Sequence, residues 1–269
     1  MQIADKVFVV TGAGNGIGRE VVLALLRHGG RVAAVDLSDR GLAETATLAA
    51  VADGRLTTHV LDITDRPAVE KLPDEVIAAH GQVDGLLNVA GIVQRFARVH
   101  ELSFEEIERV LAVNFWGVLT MSKAFLPALL ARPQASLVNV SSMGALVPVP
   151  GQSAYGASKA AVKLLTEGLY AELRGTSVAV TVVFPGGVGT NILANSGVSM
   201  RDRGEKSTGT GSKLTSAEDA GRQICEAVSK GSYRVRIGGD ARMLDRLSRL
   251  MPQRATALIA DRMKSLLAP

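Results

Sequence analysis

Residues 7–26 read VFVVTGAGNGIGREVVLALL, and their order of residue types decides the fold. An apolar run rich in β-branched residues, then a turn with glycines, then a stretch of helical period describe strand, turn and helix. Glycine at 12, 16 and 18 permits a tight turn and close backbone approach, and the helix opening near Gly16 directs its N–H groups and positive dipole end at a pyrophosphate. A glycine pattern alone is weak, but here both flanks are present and the unit sits at the start of the chain. The next apolar run, RVAAVD (31–36), ends at Asp36, 18 residues after Gly18. That spacing places its carboxylate to take both ribose hydroxyls of a dinucleotide. The carboxylate repels a 2′-phosphate and Leu37 offers no compensating cation, so NAD(H) is expected over NADP(H). Asp62, which ends the third apolar run, either meets the adenine edge or caps the helix that follows.

Beyond this unit the chain alternates in the same way. KVFVVTG, RVAAVD, LTTHVLD, VDGLLNVAG, ASLVNVSS, VAVTVVFPG and YRVRIGG read as strands, separated by longer helical stretches. Nearly continuous apolar strands are buried on both faces, which predicts a parallel sheet with right-handed crossovers. The expectation is one α/β Rossmann-type doubly wound domain over residues 1–269. The composition, 47% apolar and 21% charged in 269 residues, fits a single globular unit with a sizeable core.

Two regions depart from the alternation. Residues 185–213 are rich in Gly, Ser and Thr without apolar period, and read as a substrate lid or a plain surface insertion. Residues 240–269 form an amphipathic helical tail interrupted by Pro252; the chain from 230 onward carries +6 of charge, leaving −2 for the rest. This tail packs on its own subunit or a neighbour, or meets an anionic membrane surface. The charge is too local to indicate nucleic acid. One helix start is legible in detail: Ser103 as N-cap, Glu106 as its capping-box partner, and Leu102 against Ile107 as a staple. The helix is expected to run to about Ala131, which leaves Asn114 in its interior, a poor place for asparagine.

The stretch SSMGALVPVPGQSAYGASK, residues 141–159, carries the candidate chemistry. Tyr155 and Lys159, four apart, share a helical face. A free phenol titrates near ~10, so a tyrosine base needs neighbouring positive charge, which Lys159 and the nicotinamide ring of NAD⁺ would supply. Taken together, TGAGNGIG, Asn88-Val89-Ala90-Gly91, Asn114, Ser142, Tyr155 to Lys159, and Pro185-Gly186 with Thr190 resemble the short-chain dehydrogenase/reductase family, over nearly the whole chain. Val89 departs from the family's usual second asparagine. The resemblance implies a seven-stranded sheet, a homotetramer or dimer, and a catalytic set of Ser142, Tyr155, Lys159 and Asn114. Tyr155 would exchange the proton of the reacting oxygen, Ser142 would donate to that oxygen, Lys159 would hold the ribose, and Asn114 would keep a water that links Lys159 to solvent. It further implies cofactor contacts from Gly12, Asn15, Gly16, Ile17, Gly18, Asp36, Asp62, Ile63, Asn88, Ala90, Gly91, Tyr155, Lys159, Pro185, Gly186, Val188 and Thr190. Substrate contacts are expected from Ser142, Met143, Gln152, Tyr155 and Gly187.

The bend MGALVPV and Leu193 are apolar, which suggests a lipophilic secondary alcohol or ketone as the small-molecule substrate. The four histidines, at 28, 59, 80 and 100, are too scattered for a metal site, and the lone Cys225 reads as a small helix residue. No basic leader and no run of roughly 18 apolar residues is evident, so a cytoplasmic protein is expected. Two other functions compete: an NADPH-dependent ketoreductase, and a non-catalytic dinucleotide-binding sensor or scaffold.

Overall fold

The computed structural model describes residues 1–52, 54–190, 192, 196 and 214–263. All seven expected strands form one parallel sheet: β1 (Val7–Thr11), β2 (Arg31–Asp36), β3 (Leu56–Val60), β4 (Gly85–Asn88), β5 (Ala135–Val140), β6 (Val178–Pro185) and, last in the chain, β9 (Arg234–Ile237). Their spatial order is β3-β2-β1-β4-β5-β6-β9. The winding therefore reverses between β1 and β4, which opens a crevice at their carboxyl ends. A short ladder of β7 (Val188–Gly189) and β8 (Thr215–Ser216) lies beside it.

Alternation along β1 divides the core. Phe8 and Val10 pack on one face with Val21, Val22 and Leu25 of α1 (Gly16–Arg27) and with Ile224, Cys225 and Val228 of a later helix, Ala217–Lys230. Val7 and Val9 pack on the other with Val69, Leu72 and Val76 of α3 (Arg66–His80), α2 being Asp39–Ala49. Successive side chains on a strand point to opposite faces, so one apolar run fills two cores. Cys225 is a packing residue: burial pushes its thiol up to about 12, which makes it inert.

The helix begun by the Ser103–Glu106 capping box is confirmed, both reciprocal bonds being present. It runs as α4 (Phe104–Leu111), a π-helical turn (Ala112–Gly117) and α5 (Val118–Leu130). This 27-residue helix, with a mean hydropathy of 1.3 in its most apolar window, is long and apolar enough to cross a membrane by length and composition. That corrects the expectation that no segment reaches that length. Its apolar residues have a local use, since Met121, Phe125 and Leu129 are fully buried against the sheet.

After α6 (Ser153–Glu172) and α7 (Ala217–Lys230), the tail forms α8 (Gly239–Leu250) and α9 (Pro252–Arg262), divided at Pro252 as its sequence predicts. Leu244, Ala255 and Ile259 bury themselves with Val147 of the apolar bend, and Met143, Leu146 and Leu247 pack around them. These helices therefore pack on their own chain. Asp245, buried on α8, accepts from Arg234, Arg236 and Arg249 at 2.9–3.0 Å, so part of the tail's basic charge is internally neutralised. Most of residues 185–213, including Leu193, and residues 264–269 lie outside the described residues.

Thr57 Oγ1 sits between His59 Nε2 at 3.0 Å and His80 Nε2 at 2.9 Å. Burial holds both imidazoles below their ordinary pKa; Glu75 opposes it at His59, while Arg31 and His59 reinforce it at His80. The unfolded chain therefore takes up these protons first as pH falls. Their contribution is complete above about 6.5 and is lost as pH drops through the folded values. The urea midpoint is expected to be lower at pH 5.5 than at pH 7.5, with a flatter dependence in the His59→Gln/His80→Gln double variant. Equal slopes in the two proteins would contradict this account.

Candidate active site

The crevice is a cavity of about 490 Å³. Its floor is the glycine turn: Gly12, Asn15, Gly16, Ile17 and Gly18 all line it, and α1 starts there with no side-chain cap from Asn15 on its first N–H groups. Gly12 has φ +70, and a Cβ on it would lie 2.9 Å from the Ala90 backbone; a Cβ on Gly18 would lie 2.0 Å from the Gly12 carbonyl oxygen. The turn closes only because both positions lack side chains. Gly18→Ala should destabilise the protein by about 1–3 kcal/mol or more through overpacking, read as a lowered Tm with weakened NADH binding. An unchanged Tm would contradict the packing argument.

Asp36 ends β2 at the cavity wall. Its Oδ2 accepts from Gly14 N and its Oδ1 from Ser38 N, both at 2.8 Å. The nearby cations have other partners: Arg19 donates to the Gly14 carbonyl and pairs with Glu44 at 2.9 Å, and Arg40 pairs with the same carboxylate at 3.0 Å. Leu37 is exposed. Asp62 lines the cavity with Ile63, and its Oδ1 accepts from the Thr64 backbone and hydroxyl. The cap of α3 is Asp65 rather than Asp62.

On the far wall the three candidate side chains, Ser142, Tyr155 and Lys159, come together. Ser142 begins a 3-10 turn (Met143–Ala145), its Oγ accepts from Gly144 N at 3.0 Å, and it shares a hydrogen bond with the Tyr155 phenol. Ser141, which also lines the cavity, is buried and donates to the Lys159 carbonyl. Lys159 Nζ donates to Val140 O at 3.1 Å, and burial lowers its pKa to about 8. Burial also raises the Tyr155 phenol above its ordinary value, with Ser142 pulling the other way. Among the chain's own groups, desolvation is thus the larger influence on the phenol. Extra positive charge beside Tyr155 would be needed to reverse it.

Asn114 occupies the π-helical turn, fully buried. Its Oδ1 accepts from Ile92 N, and its Nδ2 donates to Ile92 O and Ser158 Oγ, each at 2.9 Å. These bonds explain asparagine inside a helix. Gly91 lies between the two polar groups: a Cβ there would be 2.9 Å from Lys159 Nζ and 3.2 Å from Asn114 Oδ1.

Of the remaining expected residues, Ala90, Gly91, Pro185, Gly186, Val188 and Thr190 line the cavity, whereas Asn88, Met143, Gln152 and Gly187 do not. Asn88 is buried in the sheet, where it donates to Asn139 Oδ1 and Ser122 Oγ. Met143 packs toward the C-terminal helices. Gln152 is buried and donates to Gln94 O at 2.9 Å. Gly187 donates its N–H to Asp240 Oδ2 at 2.8 Å. Asn88, Gln152 and Gly187 are each bonded to a partner distant in the chain. The sequence reading missed Thr11, whose Oγ1 accepts from Val89 N and Ala90 N and so ties down the turn at the altered Val89 position. It also missed Asp240, which holds the Pro185–Val188 segment from the first turn of α8.

Residues 6–200 match the family description "short chain dehydrogenase". The chain is a short-chain dehydrogenase. The putative oxidoreductase SadH of Mycobacterium tuberculosis (strain ATCC 25618 / H37Rv) is 38% identical to it over 262 residues, covering 95% of this chain and 94% of that protein. Among solved structures, a short-chain dehydrogenase/reductase of Burkholderia phymatum in complex with NAD superposes with a TM-score of 0.84 at 27% identity, covering 95% of this chain and 97% of the other. A short-chain dehydrogenase of Burkholderia cenocepacia J2315 in complex with NADP superposes with a TM-score of 0.79 at 27% identity over all of both chains. The glycine cradle and the α1 N-terminus of this short-chain dehydrogenase fit the pyrophosphate of such a dinucleotide, by the backbone closeness at Gly12 and Gly18.

Proposed function

We propose that this short-chain dehydrogenase is an oxidoreductase that uses NAD(H) and acts on a lipophilic secondary alcohol or the corresponding ketone. The observation that carries the reading is the meeting of Tyr155, Ser142 and Lys159 at one cavity with the glycine turn and Asp36. When bound, the nicotinamide ring accepts or gives the hydride. Tyr155 takes the hydroxyl proton during oxidation and returns it to the carbonyl oxygen during reduction. Ser142 donates a hydrogen bond to that oxygen as charge develops on it. Lys159, largely protonated at neutral pH with a pKa of about 8, holds the ribose and supplies positive charge near Tyr155. Asn114 orders a water beside Lys159.

Asp36 supports NAD(H), because its carboxylate lines the cavity and Glu44 already engages the neighbouring arginines. A second reading, NADP(H), is favoured by those same arginines, since Arg19 already touches the glycine turn. Ile92, Val93, Val188 and Ile192 line the wall around the reactive groups, and this apolar lining supports a lipophilic substrate. A panel of secondary alcohols, followed by absorbance at the reduced nicotinamide band with NAD⁺ and NADP⁺ in parallel, tests the proposal. Higher kcat/KM on apolar alcohols with NAD⁺ is expected. Preference for small polyols, or for NADP⁺, would overturn the corresponding part.

A further inference from the structure

The helix that carries Tyr155 and Lys159 is not capped from within. In α6 the first intrahelical bond is Gly156 N to Gln152 O, so Tyr155 N is among the donors that the helix itself leaves without a partner. The N-cap residue, Gln152, makes no side-chain bond to the helix start. The acceptor comes instead from 61 residues earlier: Gln94 Oε1 lies 2.9 Å from Tyr155 N. The other end of the same amide is also engaged, Nε2 donating to Gly151 O at 3.1 Å. A flipped amide would set donor against donor at Tyr155 and acceptor against acceptor at Gly151, so one orientation is fixed. Gln152 completes the arrangement by donating from Nε2 to Gln94 O. Gln94 is 4% and Gln152 5% exposed, so water does not compete with these bonds.

Gln94 therefore joins two parts of the site. On one side is the 91–94 segment, whose Gly91 lies against Lys159 Nζ and whose Ile92 is held at both backbone groups by Asn114. On the other is the backbone of Tyr155 itself. We propose that Gln94 is a positioning residue: it caps the Tyr155 helix from another element and so sets the phenol's place relative to Ser142 and Lys159. This rests on the reading of Tyr155 as the proton-exchanging group. A misplacement of about 1 Å at a reacting group costs on the order of 10²-fold in rate, so loss of this cap should act on turnover rather than on cofactor affinity.

The test compares Gln94→Met, similar in length but without either amide bond, with Gln94→Glu, which retains an acceptor for the Tyr155 N–H. Gln152→Met removes only the bond to Gln94 O. Gln94→Met is expected to lower kcat by about 10- to 100-fold with the KM for NAD⁺ and the Kd for NADH within about twofold. Gln94→Glu should recover part of that loss, since it keeps the acceptor for the Tyr155 N–H but can donate to Gly151 O only when protonated, and Gln152→Met should be milder than Gln94→Met. If Gln94→Met does not fold, Gln94→Asn, one methylene short, is read in its place. A kcat within twofold of the parent, or a loss of NADH binding as large as the loss of turnover, would overturn the proposal. Hydrogen exchange at the Tyr155 amide reads the cap without any substrate. At least ~10-fold faster exchange in Gln94→Met supports it even if the wild-type protein turns over no alcohol in the panel, and an unchanged rate sinks it.

Discussion

Tyr155→Phe is expected to lower kcat by about 10²- to 10⁴-fold, the usual contribution of a positioned acid–base group, while the Kd for NADH stays within about threefold. The substitution removes one oxygen from a partly buried ring at the cavity wall and leaves Lys159, the glycine cradle and Asp36 in place, so folding and dinucleotide binding have no reason to change. Stopped-flow turnover and NADH fluorescence titration on the same preparation measure both quantities. Direction should show in the pH dependence of the parent. Burial raises the phenol's pKa in this structure, and oxidation of an alcohol requires the deprotonated form, so its rate should rise with pH. Reduction requires the protonated form and should fall over the same range. An active Tyr155→Phe enzyme with an unaltered pH profile would remove Tyr155 from the chemistry.

Asp36→Ala combined with Leu37→Arg is expected to reverse cofactor preference, changing the ratio of kcat/KM for NAD⁺ to that for NADP⁺ by about 10³-fold or more. A hydrogen bond to a charged group contributes about 1.5–3 kcal/mol, and each 1.4 kcal/mol is tenfold. Removing the carboxylate takes such bonds from the ribose of NAD⁺, and the new guanidinium offers paired donors to a 2′-phosphate. Arg19 and Arg40 would assist once the carboxylate no longer repels that phosphate. Measured kcat/KM for both cofactors, with one alcohol held fixed, decides the matter; a ratio unmoved by the pair would place the discrimination elsewhere.

The framework could be read from the sequence because it is local. Seven apolar runs at regular intervals became the seven strands of one parallel sheet, and the glycines at 12 and 18 stand where the backbone approaches too closely for a Cβ. The Ser103–Glu106 capping box is also local, three residues apart, and it formed as expected. The expectation of Ser142 rather than Ser141 came from its spacing to Tyr155; Ser142 shares a hydrogen bond with the phenol, and Ser141 donates to the Lys159 carbonyl.

The long-range polar contacts share a different feature. Asn88 donates to Asn139 and Gln152 to Gln94, 51 and 58 residues distant in sequence. Gly187 is likewise held by Asp240, 53 residues on. Polar pairs at such separations have no period and no fixed spacing, so nothing along the chain announces them.

The sequence by itself determined the strand–helix alternation and the glycine cradle, and named the candidate reactive residues, because each depends on side-chain period or on contacts within a few residues. Only the tertiary structure decided which polar side chains line the cavity and which fasten its walls. It also set the environment of Tyr155, where burial raises the phenol's pKa and Ser142 opposes it. The physical reason is that desolvation and hydrogen-bond geometry depend on what surrounds a group in space, and those surroundings are assembled from all parts of the chain.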